Sequence, residues 1–136
     1  MPSVPDRIYM DKADRELYDK LKAEPVFEKQ SRKEQFLLAM AYGFKNGAKR
    51  KCSSKENLFL LKDCRKEDEV LMFAVAIADT GDAGVVVDRG RAFEIAEQYA
   101  HAGLRLLIDK VESAAFGGFE VRFEKELRGP KAQQGD

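Results

Sequence analysis

The chain has no tryptophan, one histidine and two cysteines among its 136 residues. Each scarcity removes a class of function. A four-ligand structural zinc site needs more Cys and His than His101, Cys52 and Cys64 provide. The two cysteines form neither a CxxC redox pair nor a zinc knuckle, and in a reducing compartment both are expected as free thiols. Cys52 follows Lys49-Arg50-Lys51, which would favour its thiolate if those side chains converge. No GxGxxG, Walker A, GxSxG or HExxH motif is present, so nucleotide-fold and hydrolase readings lack sequence support. The longest apolar run, Val70 to Ala78, has nine residues, against the ~20 that a membrane-spanning helix needs. The N-terminus carries prolines and charges rather than an apolar signal core, so the expected setting is cytoplasmic, with no membrane partner.

Apolar residues make up 44% and charged residues 35%, which suits one well-charged globular domain. Net charge is zero, but it is unevenly spread. Residues 1–66 hold 16 basic and 10 acidic side chains, and residues 67–136 hold 8 and 14, giving +6 and −6. Such a split fits an anionic partner on one face, head-to-tail association of copies, or neutralisation of one half by the other inside one fold.

The pattern along the chain predicts a mainly α protein. It is a single compact bundle of four to five helices with short extended segments over residues 1–128, then a disordered tail over 129–136. Arg7 to Met10 is a short extended candidate, and a helix follows from Asp11 to about Ala23, ended by Pro25. Ser31-Arg32-Lys33-Glu34 is a capping box opening a helix with Phe36, Met40 and Phe44 on its apolar face. Asn46-Gly47 stops it, because both residues tolerate the left-handed conformation. Asn57 to Leu61 reads as a buried extended piece. Glu67-Asp68-Glu69 opens a third helix whose body, Val70 to Ala78, is apolar on every side and expected to be buried all round. Val85 to Val87 is either a helical turn or a short strand. Asp88 caps a long fourth helix carrying Phe93, Ala96, Ala100, Leu104, Leu107 and Val111, where Gly103 suggests close packing. Phe116 to Leu127 is favoured as a further helix.

One segment concentrates charge. Lys45, Lys49, Arg50, Lys51 and Lys55 follow the helix stop at Asn46-Gly47, with Tyr42 and Phe44 just upstream. Such residues gain affinity for phosphate by releasing counterions, without reading sequence. The competing view is a solvated loop that neutralises the acidic half. The order of a short strand and two helices over the first 47 residues also matches a ribbon–helix–helix module, in which strands of two copies pair and Arg7 and Tyr9 read bases. Asp79, Asp82 and Asp88 are candidates for magnesium, although helix termination, turn formation and capping each explain one of them. His101 has Glu97 four residues before it as a possible partner, and a partly exposed structural role is expected. No cofactor or metal is expected.

Three pieces in order carry a family resemblance: Ala41 to Gly47 with its basic follow-on, Ile77 to Asp82, and Ile95 to Leu104. Together they resemble the small accessory proteins associated with DNA phosphorothioation (Dnd) gene clusters of bacteria and archaea, over about residues 7–127. That family has no assigned catalytic residues, so no site is carried over. The resemblance implies a setting in DNA modification or defence. The function expected is a non-enzymatic accessory or regulatory protein that binds DNA, or a DNA-modification or restriction protein on DNA, through the basic loop. The alternatives are a homodimeric protein-interaction subunit without nucleic-acid contact and, last, a metal-dependent nuclease using Asp79 and Asp82.

Overall fold

The computed structural model describes residues 5–113; the expected helix over Phe116 to Leu127 and the expected tail lie outside the described residues. Within them the chain is a mainly α bundle of four α-helices with one two-stranded sheet. Strand β1 (Arg7–Asp11) leads to helix α1 (Arg15–Ala23), then α2 (Arg32–Lys45), strand β2 (Lys55–Leu60), α3 (Lys66–Thr80) and α4 (Arg89–Ser113). Single 3-10 turns fill the joints, including Ala83–Val87 between α3 and α4, which resolves the ambiguous valine run as helical.

The helix boundaries follow local chemistry. At the start of α2 the Ser31 hydroxyl accepts from the Glu34 amide at 3.2 Å while Glu34 accepts from the Ser31 amide at 2.9 Å. This satisfies two orphan donors. The α2 stop has Gly47 at φ 63°, and α3 stops at Gly81 with φ 70°, both in the left-handed region. At α4, Asp88 accepts from the Arg91 amide at 3.1 Å.

Helix α4 is the axis of the fold. At ~1.5 Å rise per residue, its 25 residues outspan the other helices, and α1, α2, α3 and β1 all pack on it. Its seam with α2 is the tightest. A Cβ placed on Gly103 would run into the carbonyl of Ala39 and lie 2.6 Å from the Gly43 nitrogen. One placed on Gly43 would run into the carbonyl of Tyr99 and sit 3.1 Å from the Gly103 nitrogen. Two glycines therefore face each other where the helix backbones touch, in agreement with the close packing expected at Gly103.

Strand β1 pairs antiparallel with β2, from Arg7 opposite Leu60 to Asp11 opposite Lys55, with an irregularity between Ile8 and Tyr9. This departs from the ribbon–helix–helix reading. The strand finds its partner within the chain, and the Tyr9 amide donates to the Glu97 carboxylate at 2.9 Å.

Two packing expectations are corrected. Helix α3 is one-sided rather than buried all round: Met72, Val75 and Ala76 are buried, whereas Val70 is 55% and Leu71 51% exposed. Its buried stripe falls at helical spacing against α4, where Phe73 stacks on Phe93 at 5.4 Å. A uniformly apolar helix has no intrinsic inner side; the neighbours choose it. Phe44, expected in the core with Phe36 and Met40, is 40% exposed and makes a T-shaped contact with Tyr99 at 5.4 Å.

The seam makes a sharp stability prediction. Gly43→Ala and Gly103→Ala should each destabilise by about 3 kcal/mol, because backbone atoms of a packed helix must move. Gly47→Ala, which meets open space but sits at positive φ, should cost about 1 kcal/mol. Urea denaturation of the three variants checks the ranking.

Candidate functional site

The basic segment leaves α2 under close control. The Asn46 side chain donates to the Tyr42 carbonyl at 2.8 Å, and the Ala48 amide donates to the Gly43 carbonyl at 2.9 Å. The Arg50 amide then donates to the Gln98 carbonyl of α4 at 3.0 Å. At the far end, the Ser53 amide donates to Asp11 at 2.8 Å, and Ser54 accepts from the Lys12 amide at 2.8 Å. The loop backbone is thus tied to α2, to α4 and to the end of β1.

Its five candidate side chains have different fates. Lys49, itself exposed, is paired, with Nζ 2.9 Å from Asp79 and 5.7 Å from the centre of the Tyr99 ring. The Tyr99 hydroxyl donates to the same carboxylate at 2.6 Å. Those two hydrogen bonds, from Tyr99 and then Lys49, hold the Asp79 carboxyl below its ordinary range. Here the basic half does meet the acidic half. Lys45 stands on the last turn of α2, and Arg50 and Lys51 are exposed. Lys55 is also exposed, at the first position of β2, with Nζ 5.2 Å from the Tyr9 ring centre.

The acidic candidates do structural work. Asp79 holds Lys49, Asp82 accepts from the Gly84 amide at 2.8 Å, and Asp88 caps α4. Among the described residues no group of three or more His, Cys, Asp or Glu side chains is arranged to hold a metal ion.

Between the loop and α4 lies a cleft of about 220 Å³. Lys51, Cys52 and Lys55 line it from the loop side, and Glu94, Glu97 and His101 from α4. His101 is 2% exposed, which corrects the expectation of partial exposure. Its partner is not Glu97, whose carboxylate takes the Tyr9 amide instead. The nearest acid is Asp14, 3.7 Å from Nδ1. Asp14 itself is fully buried and pairs with Arg105 at 2.6 Å. Neither ring nitrogen of His101 has a hydrogen-bond partner among the described residues.

Burial sets the protonation of this group. It pulls the His101 imidazole down to about 4, against the attraction of Asp11. It pushes the Glu97 carboxyl up to about 7, with the Tyr9 amide and Lys55 opposing. The Cys52 thiol is raised by burial and then by Asp11. The conditional thiolate at Cys52 is therefore not favoured: burial and Asp11 outweigh the opposing Lys55.

Sequence reasoning named the loop and His101 but missed the cleft. One signal was available, since Glu97, His101 and Arg105 recur every fourth residue and so share a face of α4. Asp14, 91 residues from Arg105, leaves no such trace.

The two perturbed groups work against each other. His101 binds fewer protons folded than unfolded, so its contribution to stability falls as pH drops from ~6.5 through about 4. Glu97 binds more protons folded, so its contribution is full below ~4.3 and is lost as pH rises through about 7. As pH rises from ~4.3 to about 7, the stability of Glu97→Gln should therefore climb relative to that of the wild type. Urea midpoints across that range test this, and parallel profiles for the two proteins refute it.

No protein-family model, curated protein or solved structure matches the chain, so its functional reading rests on this geometry.

Proposed function

We propose that the loop after α2 is a phosphate-contacting surface. Through it the chain acts as a non-enzymatic accessory protein that binds DNA, or a partner held on DNA, in a DNA-modification-linked defence system. One observation carries the reading: the loop backbone is clamped to α4 by Arg50, yet the side chains of Arg50 and Lys51 remain exposed. A cation on a fixed backbone loses less freedom on binding than one on a mobile tail. Arginine adds bidentate geometry to the point charge of lysine. Lys55 extends the surface onto β2, and Lys45 borders it from α2. Lys49 leaves the contact set, because Asp79 and Tyr99 already hold it.

A second reading rests on the uncovered apolar side of α3. Val70 and Leu71 there, with Val87 at 87% exposure on the adjoining turn, suit a homodimer joined by a second copy.

DNA binding makes a quantitative prediction. Three phosphate contacts give a log–log salt slope of about −3 on duplex DNA. The Arg50→Ala/Lys51→Ala/Lys55→Ala variant should flatten it toward zero, with equal loss on unrelated sequences. Lys49→Ala should change the slope by less than one unit. Fluorescence anisotropy across salt concentrations measures both. A duplex affinity that is absent, or independent of salt, defeats the proposal. Sedimentation equilibrium tests the homodimer, which a monomer at all concentrations excludes.

A further inference from the structure

The cleft behind the loop has a composition that a phosphate-binding surface alone does not explain. Lys51 and Lys55 supply positive charge from one wall. Glu94 and Glu97 supply carboxyl groups from the other, where a bare phosphate would be repelled. At its base stands His101, buried, neutral and with both ring nitrogens unpartnered among the described residues. A buried polar group without a partner carries an uncompensated desolvation cost, which a hydrogen-bonding occupant recovers. The fitting ligand therefore has an anionic end for the lysines and an N–H-bearing end for the carboxyl and imidazole groups.

We infer that the cleft takes a single unpaired guanine nucleotide, with its phosphate on Lys51 and Lys55 and its base edge on Glu97 and His101. The volume of about 220 Å³ lies below the ~300–1,000 Å³ of pockets for drug-sized ligands, a scale suited to one base. Glu97 selects among bases by donor count. In its ionised form, which prevails above about pH 7, the carboxylate offers about four acceptor positions, and the Tyr9 amide uses one. Guanine alone among the common bases presents two adjacent N–H donors on its Watson–Crick edge, which match the two carboxylate oxygens. The neutral imidazole adds one donor and one acceptor. Enzymes and readers that admit an extruded base use the same edge. The occupant can be a free nucleotide or an unpaired residue in a strand, since both present this chemistry. The inference rests on the phosphate-contact reading for its lysines, while its base selectivity is independent of that reading.

The test titrates the full chain with guanosine, inosine and adenosine 5′-monophosphates and with inorganic phosphate, followed by NMR. Parallel arms use a thymine 12-mer with one central guanine, the same strand with hypoxanthine, and its duplex. The guanine ligand should bind about tenfold more tightly than the hypoxanthine ligand, which lacks the 2-amino donor. Glu97→Gln should erase that difference, with a thermal melt confirming that the variant folds; if it does not fold, the wild-type comparison decides. Selectivity in the monophosphate arm assigns a free nucleotide, and selectivity in the strand arm alone assigns an unpaired residue. Equal binding of guanine and hypoxanthine in both arms, or selectivity that persists in folded Glu97→Gln, overturns the inference. If salt-dependent duplex binding survives in that case, only the cleft assignment falls. If it is also absent, the phosphate reading falls with it.

Discussion

The backbone contact of α2 with α4 at Gly43 and Gly103 is the constraint on which the rest of the molecule depends. Neither position has room for a Cβ, and the atoms in the way are backbone atoms, which cannot step aside as a side chain can. The contact fixes where α2 lies against α4. Gly43 also accepts the Ala48 amide, so the residue that makes the seam also turns the chain into the basic loop. One turn along α4, Tyr99 packs in a T-shape with Phe44 and donates to Asp79, which holds Lys49. Seam, helix stop and loop are thus one mechanical unit. The loop inherits its position from helix packing rather than from its own sequence.

The same helix carries a second, polar seam. Glu97, His101 and Arg105 face β1 and the start of α1, where they meet Tyr9 and Asp14. Buried ionisable groups rarely stabilise a fold better than apolar ones of equal volume. His101 favours the folded state toward neutral pH and Glu97 favours it toward acid, so across the range where both act their contributions oppose each other. The arrangement is costly for packing yet balanced for pH, and it opens directly onto the cleft beside the loop. Perturbed carboxyl and imidazole groups gathered at one opening are enriched at functional sites.

Much of the fold was legible because its boundaries are local. The Ser31–Glu34 box, the glycines at 47 and 81 and the Asp88 cap each work within one turn of chain, so a linear reading suffices. The faces of α3 were not legible. Nine consecutive apolar residues do not say which side a neighbour will cover, and α4 covers only one. The strand near the N-terminus was located, but its partner was not, since pairing β1 with β2 is a choice made across 44 residues at Asp11 and Lys55. The loop was visible as charge. That Lys49 is paired depends on Asp79 arriving from α3, and that Asp11 raises the Cys52 thiol depends on β1. In both cases the missing information was tertiary.

The central claim, that the two glycines bring the helix backbones together and so set the loop, is tested most directly by NMR. The account predicts a strong nuclear Overhauser effect between a Gly43 α-proton and the Gly103 amide proton, together with slow exchange of the Arg50 amide bonded to Gln98. A missing Gly43–Gly103 effect in a well-dispersed spectrum, or an Arg50 amide that exchanges at the rate of an unstructured chain, would contradict it.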